Sequence, residues 1–263
     1  MLRGVAQAQT QVNLGLFDTD DQLLENFPGK GFLKDNSIKN TRGLRVAIAD
    51  DSNNEEEAKL RAQTLVKQGD ILGVVGHYTS EMTLAVINTY QDNQLVLISA
   101  GTTTEELSGK ALRSGKLKDV FFRTVPNVAV HAQSLVDYLS NQAGQKQVAI
   151  LYNHSSPYTY SFKEEFTKAF QDNGGKVVKQ YSLTDSEFNA KKIIEELRQQ
   201  KLRQQEEIAL VLLPDGQVTN SLDNAIEVIK ANNNSNWIGA SWSLYSPKTL
   251  AIADFKLLEK LVL

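Results

Sequence analysis

Residues 71–108 read ILGVVGHYTSEMTLAVINTYQDNQLVLISAGTTTEELS, and their pattern sets the architecture of the chain. A short apolar run from Ile71 to Gly76 precedes an amphipathic stretch from Ser80 to Asp92, and a second apolar run spans Leu95 to Ser99. Short runs rich in β-branched residues indicate buried strands, whereas apolar residues three and four positions apart indicate one face of a helix. The stretch therefore predicts strand, helix and strand in succession, which is the repeating unit of a parallel sheet.

The same alternation extends to both sides of this stretch. Further strands are predicted over Leu44 to Asp51, Val120 to Val125, Val148 to Asn153, Val177 to Leu183, Ile208 to Leu213 and Trp237 to Ala240. Helices are predicted between them, with apolar faces that include Ala58, Leu135, Phe166, Ile193 and Ala225. Near-continuous apolar strands that alternate with helices indicate parallel sheets covered on both faces.

The predicted fold class is α/β, with two Rossmann-like lobes whose parallel sheets are joined by a hinge. A break near Pro126 places lobe one in residues 1–125 and lobe two in residues 126–263. The segment from Leu14 to Asn40 is polar and irregular, so it is predicted to be a surface loop or insertion.

Composition argues against several classes of partner and cofactor. The chain has 263 residues, a net charge of −3 and no dense basic segment, which argues against nucleic acid. It has no cysteine and its three histidines are far apart, so neither disulfides nor a metal site is expected. The sequence contains no apolar run long enough to span a membrane. We expect no cofactor.

Motifs of the common enzyme classes are missing from the sequence. It contains neither the G-x-S-x-G elbow nor the G-x-x-x-x-G-K-[ST] phosphate loop, and the run from Gly73 to Gly76 lacks the spacing of a dinucleotide fingerprint. No arrangement of Ser, His and Asp singles out a catalytic triad. We therefore predict that the protein is not an enzyme.

Polar and aromatic residues cluster after the predicted strands, where open α/β sheets bind their ligands. In lobe one, Ser80 begins a helix whose N-terminus suits a carboxylate, and Gly101 lets the backbone approach a ligand. In lobe two, aromatic rings suit an apolar or cationic group. The predicted ligand site comprises Ser80, Gly101, Thr102, Thr103, Tyr158, Tyr160, Asp215 and Trp242.

Each of these residues also has a purely structural interpretation. Ser80 is a favoured helix N-cap residue, and Thr103 with Glu106 matches a capping box. Tyr158 and Tyr160 are compatible with ordinary surface positions. The functional interpretation depends on the convergence of polar residues at strand ends in both halves of the chain.

Three segments resemble the leucine/isoleucine/valine-binding proteins, which are receptors of ABC importers. Residues 71–108 are similar to the first-lobe core of that family, and VFFRTVPN (120–127) resembles its crossover into the second lobe. QVAILYNHSSPYTYSFKEEF (147–166) resembles its next strand, tyrosine loop and helix. The resemblance extends from about Leu44 to Leu250.

The resemblance implies a hinged protein that closes on a small ligand between its lobes. It places the carboxylate-binding serine at Ser80, further contacts at Gly101, Thr102 and Thr103, and a lobe-two contact at Tyr158. It also places a contact near Asp215 or Gly216, but Trp242 stands where the family has an acidic partner for the ligand ammonium. The segment from Tyr158 to Ser161 is bulkier than its counterpart in the family.

The implied function is extracytoplasmic binding of an amino acid or related carboxylate for delivery to the membrane permease of an ABC transporter. Two alternatives stay open, namely a ligand-sensing domain of a receptor and a degenerate module that binds nothing. The family has a strand before the helix that Met1 to Val12 resembles, and it returns to lobe one after lobe two. We see neither feature, so we expect an incomplete lobe-one sheet or a fragment of a longer periplasmic or extracellular protein that lacks its signal peptide.

Overall fold

The computed structural model describes residues 2–16, 43–107, 119–216, 219–252 and 254–263. The chain divides into two compact units, Met1–Ser52 and Asn53–Leu263. In the first unit, α1 spans Leu2–Leu16. Two parallel β-sheets lie in the second unit, one of three strands and one of five.

The smaller sheet has the strand order β1-β2-β3, and its strands are Gly73–Val75, Val96–Ser99 and Phe121–Arg123. Helices α2 (Glu55–Val66) and α3 (Ser80–Asp92) accompany it. Asn54 caps α2, because its side chain accepts hydrogen bonds from the N–H groups of Glu56 and Glu57. The apolar faces of both helices and of β2 form one core, which includes Ala58, Ala62, Met82, Val86, Tyr90 and Leu97.

The larger sheet has the order β5-β4-β6-β7-β8. Its strands are β4 (Gln147–Tyr152), β5 (Lys176–Ser182), β6 (Ile208–Leu213), β7 (Ile238–Ala240) and β8 (Leu261–Val262). The helices around it are α4 (Val128–Asp137), α5 (Pro157–Asp172), α6 (Ala190–Gln204), α7 (Ser221–Asn232) and the short α8 (Pro247–Leu250). A π-helical turn, Tyr138–Gln142, extends α4.

Every residue of β4 and β6 is buried, which shows that helices cover both faces of this sheet. Alternate residues of β4 enter different cores. Ala149 and Leu151 pack with α6 and α7, whereas Val148 and Ile150 pack with α4 and α5. Both cores depend on strands that are apolar at successive positions, which is the pattern seen in the sequence.

The predicted alternation is confirmed from residue 55 onward, with most boundaries within two residues. The helix Ser80–Asp92 and the strand Ile208–Leu213 have the predicted bounds. The boundary between lobes near Pro126 stays a prediction. The surface loop predicted for Leu14 to Asn40 lies mostly outside the described residues. Its first three residues, Leu14 to Leu16, are the end of α1.

The predicted strand from Leu44 to Asp51 is wrong. Residues 43–51 pair with no strand in the described part of the chain, and the Ile48 side chain is 77% exposed. The backbone of Leu44 instead bonds to the Asn13 side chain, since its N–H donates to Oδ1 (2.7 Å) and its carbonyl accepts from Nδ2 (3.0 Å). An apolar run becomes a buried strand only where neighbouring strands satisfy its backbone groups.

Strand β8 was not predicted. It has two residues, too few to show any periodicity, and its pairing with β7 gives it its strand conformation. Across the described ranges, the helices lack the combination of length and apolar composition that a bilayer span requires.

The packing of α5 against the sheet generates a stability prediction. Phe166 is fully buried, and its ring lies 5.5 Å from that of Phe170. We expect Phe166→Ala to lower the free energy of unfolding by about 3–5 kcal/mol, because the cavity forfeits both burial and packing contacts. Urea unfolding followed by circular dichroism measures this change. The matched control is Phe255→Ala, which removes a ring that is 70% exposed, and equal losses in the two variants would contradict the packing described here.

Candidate functional site

The carboxyl end of β2 is organised around the Ser99 side chain. Its Oγ lies 2.8 Å from the carbonyl oxygen of His77 and accepts hydrogen bonds from the N–H groups of Gly101 (3.2 Å) and Thr102 (3.0 Å). Ser99 is fully buried, so these bonds form away from water. They tie the turn after β2 to the loop after β1, which carries His77, Tyr78 and Thr79.

Gly101 permits the closest approach in this region. A Cβ atom at this position would lie 2.2 Å from the carbonyl oxygen of Tyr78. That distance is far below van der Waals contact, and the obstacle is backbone rather than a flexible side chain. The glycine predicted as a ligand contact is therefore also needed to hold the two loops together.

The hydroxyls of Thr102 and Thr103 have different environments. Thr102 Oγ1 lies 2.6 Å from Thr83 Oγ1 and 3.0 Å from Ser99 Oγ, so protein groups occupy it. Thr103 is only 3% exposed, yet its hydroxyl has no hydrogen-bond partner among the described residues. A buried hydroxyl without a partner is costly, which makes Thr103 the better candidate for a ligand contact.

Neighbouring residues perform the capping roles considered for Ser80 and Thr103. Thr79 is the N-cap of α3 and accepts from the N–H of Met82, so the N-cap interpretation of Ser80 is wrong. Likewise, the hydroxyl of Thr104 accepts the N–H of Glu106 at the 3₁₀ turn Glu105–Leu107, in place of Thr103. Ser80 is 2% exposed, and no hydrogen bond from its hydroxyl is present within the described ranges.

In lobe two, Tyr158 lies in the first turn of α5, which is capped by Ser156. Its hydroxyl oxygen is buried beside Ser241, Ser243 and Trp242, and no hydrogen bond of good geometry joins it to the described residues. Burial raises the pKa of Tyr158 to about 12, so the phenol keeps its proton at neutral pH and can donate a hydrogen bond. The ring packs edge-on against Phe162, with centroids 6.3 Å apart.

Tyr160 lies on a different side of α5 from Tyr158. Residues two positions apart on a helix differ by about 200° around its axis. The Tyr160 ring is 47% exposed and faces the ammonium of Lys163, with 4.4 Å from Nζ to the ring centroid. A ligand contact for Tyr160 stays a prediction, which this placement does not favour.

Trp242 follows β7 in a 3₁₀ turn, Trp242–Leu244. Its ring is 45% exposed and packs edge-on against His131 at 6.2 Å. Burial lowers the pKa of His131, so this neighbour is neutral at neutral pH. Beside the ring, Ser243 Oγ donates to the carbonyl of Pro214 at 2.6 Å. The surface around Trp242 therefore offers an aromatic ring and hydroxyl groups, and the neutral His131 imidazole adds no positive charge to it.

The Asp215 carboxylate is fully engaged by protein donors. It accepts hydrogen bonds from Asn153 Nδ2 (2.6 Å), Thr219 Oγ1 (2.8 Å), Thr219 N (3.3 Å) and Ser221 Oγ (2.5 Å). A carboxylate has about four acceptor positions, and all of them are used here. Asp215 therefore joins the ends of β4 and β6 to the start of α7, and its predicted ligand role is not favoured.

Contacts between the two sheets' helices bring the strand ends together. Ser156 at the start of α5 donates from Oγ to a carboxylate oxygen of Glu81 in α3. Ser161 Oγ accepts the N–H of Glu105 at 3.0 Å, and the Thr103 carbonyl accepts the N–H of Val128 at 2.9 Å. Ser156 and Ser161 belong to the hydroxyl-rich run that follows the predicted strand Val148 to Asn153, but neither they nor Glu81 were among the predicted site residues. Glu81 directly follows the predicted ligand residue Ser80, and that proximity was the only available signal.

Two surface depressions of about 390 and 380 Å³ lie away from these strand ends. One is bordered by residues of α7, α8 and the segment after α8, including Ile226, Lys248 and Leu257. The other lies between the start of α6 and α7, beside Phe188, Asn224 and Ala231. Neither includes a predicted site residue. In the part of the chain that the structure describes, no three His, Cys, Asp or Glu side chains gather as a metal site would require.

Two parallel sheets with facing carboxyl ends define the class of two-lobed α/β ligand-binding proteins. The chain belongs to the family described as receptor family ligand binding region, whose model matches residues 32–262. This family is one of ligand-binding proteins rather than enzymes. The predicted resemblance and the predicted fold of type I periplasmic binding proteins are both confirmed.

Solved structures share this fold at low sequence identity. An ABC transporter substrate-binding protein from Desulfitobacterium hafniense, in complex with leucine, has a TM-score of 0.63 and 19% identity, and the match covers 89% of this chain and 61% of that one. A leucine-binding protein from Thermotoga maritima has a TM-score of 0.62 and 15% identity, with 81% and 57% covered. The chain therefore spans about 60% of the length of these proteins.

A curated relative from Pseudomonas aeruginosa is described as an amino acid binding protein. It is 26% identical over 114 residues, which are 43% of this chain and 29% of the relative. The chain thus spans less than a third of that protein's length.

The close approach at Gly101 generates a prediction. We expect Gly101→Ala to lower the free energy of unfolding by about 1–3 kcal/mol, because the added methyl overpacks the junction with the Tyr78 carbonyl. Gly69→Ala is the matched control, since a Cβ there meets nothing within 4 Å. Chemical denaturation of both variants tests this, and equal stability would show that the two loops do not touch as described.

The network around Asp215 generates a second prediction. Asp215→Ala should cost about 3 kcal/mol or more, because it leaves buried donors of Asn153 and Ser221 without an acceptor. Asp223→Ala removes an exposed carboxylate that pairs with Lys248 and should cost less than about 1 kcal/mol. Thermal or urea unfolding distinguishes the two. A loss of stability below about 1 kcal/mol in Asp215→Ala would contradict this network and would favour the predicted ligand role of Asp215.

Proposed function

We propose that the chain binds a small solute, an amino acid or related carboxylate, in the cleft between its lobes. We further propose that it acts outside the cytoplasm, delivers the solute to the membrane permease of an ABC importer, and has no catalytic activity of its own. The observation that carries the proposal is the buried Thr103 hydroxyl, which has no hydrogen-bond partner among the described residues. The Ser80 residue is also buried, and its hydroxyl forms no hydrogen bond to the described residues either.

The electrostatics of this pair favour a carboxylate. Ser80 is the first residue of α3, where free N–H groups and the helix dipole favour negative charge. The Thr103 hydroxyl adds a neutral donor from the adjoining turn. On the opposite side, the protonated Tyr158 hydroxyl adds another donor, and the half-exposed ring of Trp242 suits an apolar part of the ligand.

The similar solved structures support the importer role, because they include ABC transporter substrate-binding proteins and one of them holds leucine. The second candidate is a ligand-sensing domain of a receptor, which the receptor description of the family favours. A degenerate module that binds nothing is less well supported, since a tryptophan that plugged the cleft would be buried and Trp242 is not.

Isothermal titration calorimetry tests the proposal. Each common L-amino acid is titrated into the protein, together with the corresponding acid that lacks the amino group. We expect at least one ligand to bind with micromolar or tighter affinity. Absence of heat and of thermal stabilisation with every ligand in both sets would overturn the proposal.

Substitutions at the two hydroxyls sharpen this test. Ser80→Ala and Thr103→Val should each weaken binding about tenfold or more, since a hydrogen bond to a charged group is worth about 1.5–3 kcal/mol. Thr64→Val is the matched control, because Thr64 lies on the exposed face of α2 and its hydroxyl bonds to the carbonyl of Leu60. Unchanged affinity in both site variants would show that the carboxylate binds elsewhere.

A further inference from the structure

The small sheet and the large sheet have separate hydrophobic cores, and no described residue belongs to the cores of both. The chain crosses between them from β3 to α4, beside the hydrogen bond from the Val128 N–H to the Thr103 carbonyl. Among the described helices and strands, α3 and α5 make the most extensive contact between the two sides. Parts of a chain with separate cores and a small polar contact are expected to move relative to one another unless specific bonds hold them.

The side-chain hydrogen bonds at this contact involve α5 hydroxyls. Ser156 Oγ donates to a carboxylate oxygen of Glu81, and Ser161 Oγ accepts the N–H of Glu105 at 3.0 Å. Ser156 is 3% exposed and Ser161 is 8% exposed, so both bonds are shielded from water. A hydrogen bond to an ionised acceptor is stronger than a neutral one. The bond between Glu81 and Ser156 is therefore the stronger of the two.

Two helix ends compensate the charge of Glu81. Glu81 is the second residue of α3, and Ser156 is the N-cap of α5, whose Oγ also accepts the N–H of Thr159 at 3.4 Å. Both helix N-termini favour a negative charge. Within the described ranges Glu81 forms no ion pair. Its carboxylate is thus held between a helix of the small sheet and a helix of the large sheet.

We propose that the hydrogen bond between Glu81 and Ser156 is a latch that holds the two lobes against each other. One partner lies on each side of the contact, so the lobes cannot separate there without breaking this bond. Loss of the latch increases the population of molecules in which the lobes are apart. Neither residue needs a ligand to form the bond, so the latch is independent of the proposed solute.

Hydrogen exchange followed by NMR tests the latch. The amide of Glu105 is the reporter, because its N–H bonds across the contact to Ser161 and is released to solvent when the lobes separate. We expect Glu81→Ala to speed exchange of this amide about tenfold or more, since a bond to a charged group is lost. In a Ser156→Ala background the same substitution should add less than about twofold, because the bond is already absent.

Amides inside each sheet distinguish separation of the lobes from general loss of stability. The N–H of Leu97 bonds to the Val120 carbonyl in the small sheet, and the N–H of Leu210 bonds to the Trp237 carbonyl in the large one. Exchange of both amides should change less than about twofold in Glu81→Ala. Equal acceleration of these amides and of the Glu105 amide would indicate global destabilisation and overturn the proposal.

Glu56→Ala is the matched control. Glu56 is the second residue of α2, the same helix position that Glu81 has in α3, but it is exposed and pairs with Lys59 on its own helix. Its removal should leave exchange of the Glu105 amide unchanged within about twofold. The proposal fails if Glu81→Ala changes that amide no more than Glu56→Ala does. It also fails if Glu81→Ala has its full effect in the Ser156→Ala background, because the effect would then not depend on Ser156.

Discussion

Parallel pairing of the strands is the constraint on which the rest of this structure depends. Parallel strands all end at the same edge of their sheet, so the residues that follow them become neighbours in space. The loops after β1 and β2 therefore meet, and Ser99 can join His77 to Thr102. In the larger sheet, the same geometry brings Asn153, at the end of β4, to Asp215, at the end of β6, although they lie 62 positions apart in sequence.

The polar residues at these edges divide into two groups. Ser99, Thr102 and Asp215 have their hydrogen-bonding capacity met by the protein, and they hold the loops in place. The hydroxyls of Ser80 and Thr103 have no hydrogen-bond partner among the described residues. The Tyr158 hydroxyl is buried beside Ser241 and Ser243 but forms no hydrogen bond of good geometry to the described residues. A rigid, satisfied framework that supports a few unsatisfied donors is the arrangement expected of a preorganised binding site.

The two carboxylates near the strand ends, Asp215 and Glu81, also differ in how many hydrogen bonds the protein gives them. The buried carboxylate of Asp215 is surrounded by donors, whereas the half-buried carboxylate of Glu81 faces a single serine from the other lobe. The four donors to Asp215 make that carboxylate part of the framework that holds the loops, whereas the single neutral donor to Glu81 leaves that carboxylate with acceptor capacity.

The sequence by itself determined the order and type of most elements, because buried parallel strands are apolar at successive positions and their helices repeat every three or four residues. It also located both strand-end clusters. Only the tertiary structure decided which polar groups are free. Thr102 and Thr103 are adjacent and chemically identical, but the Thr102 hydroxyl is hydrogen-bonded to Thr83, whereas no described group hydrogen-bonds to the Thr103 hydroxyl. Likewise, Leu44 to Asp51 has a strand-like composition, but a strand forms only where another strand accepts its hydrogen bonds, and long-range pairing decides that.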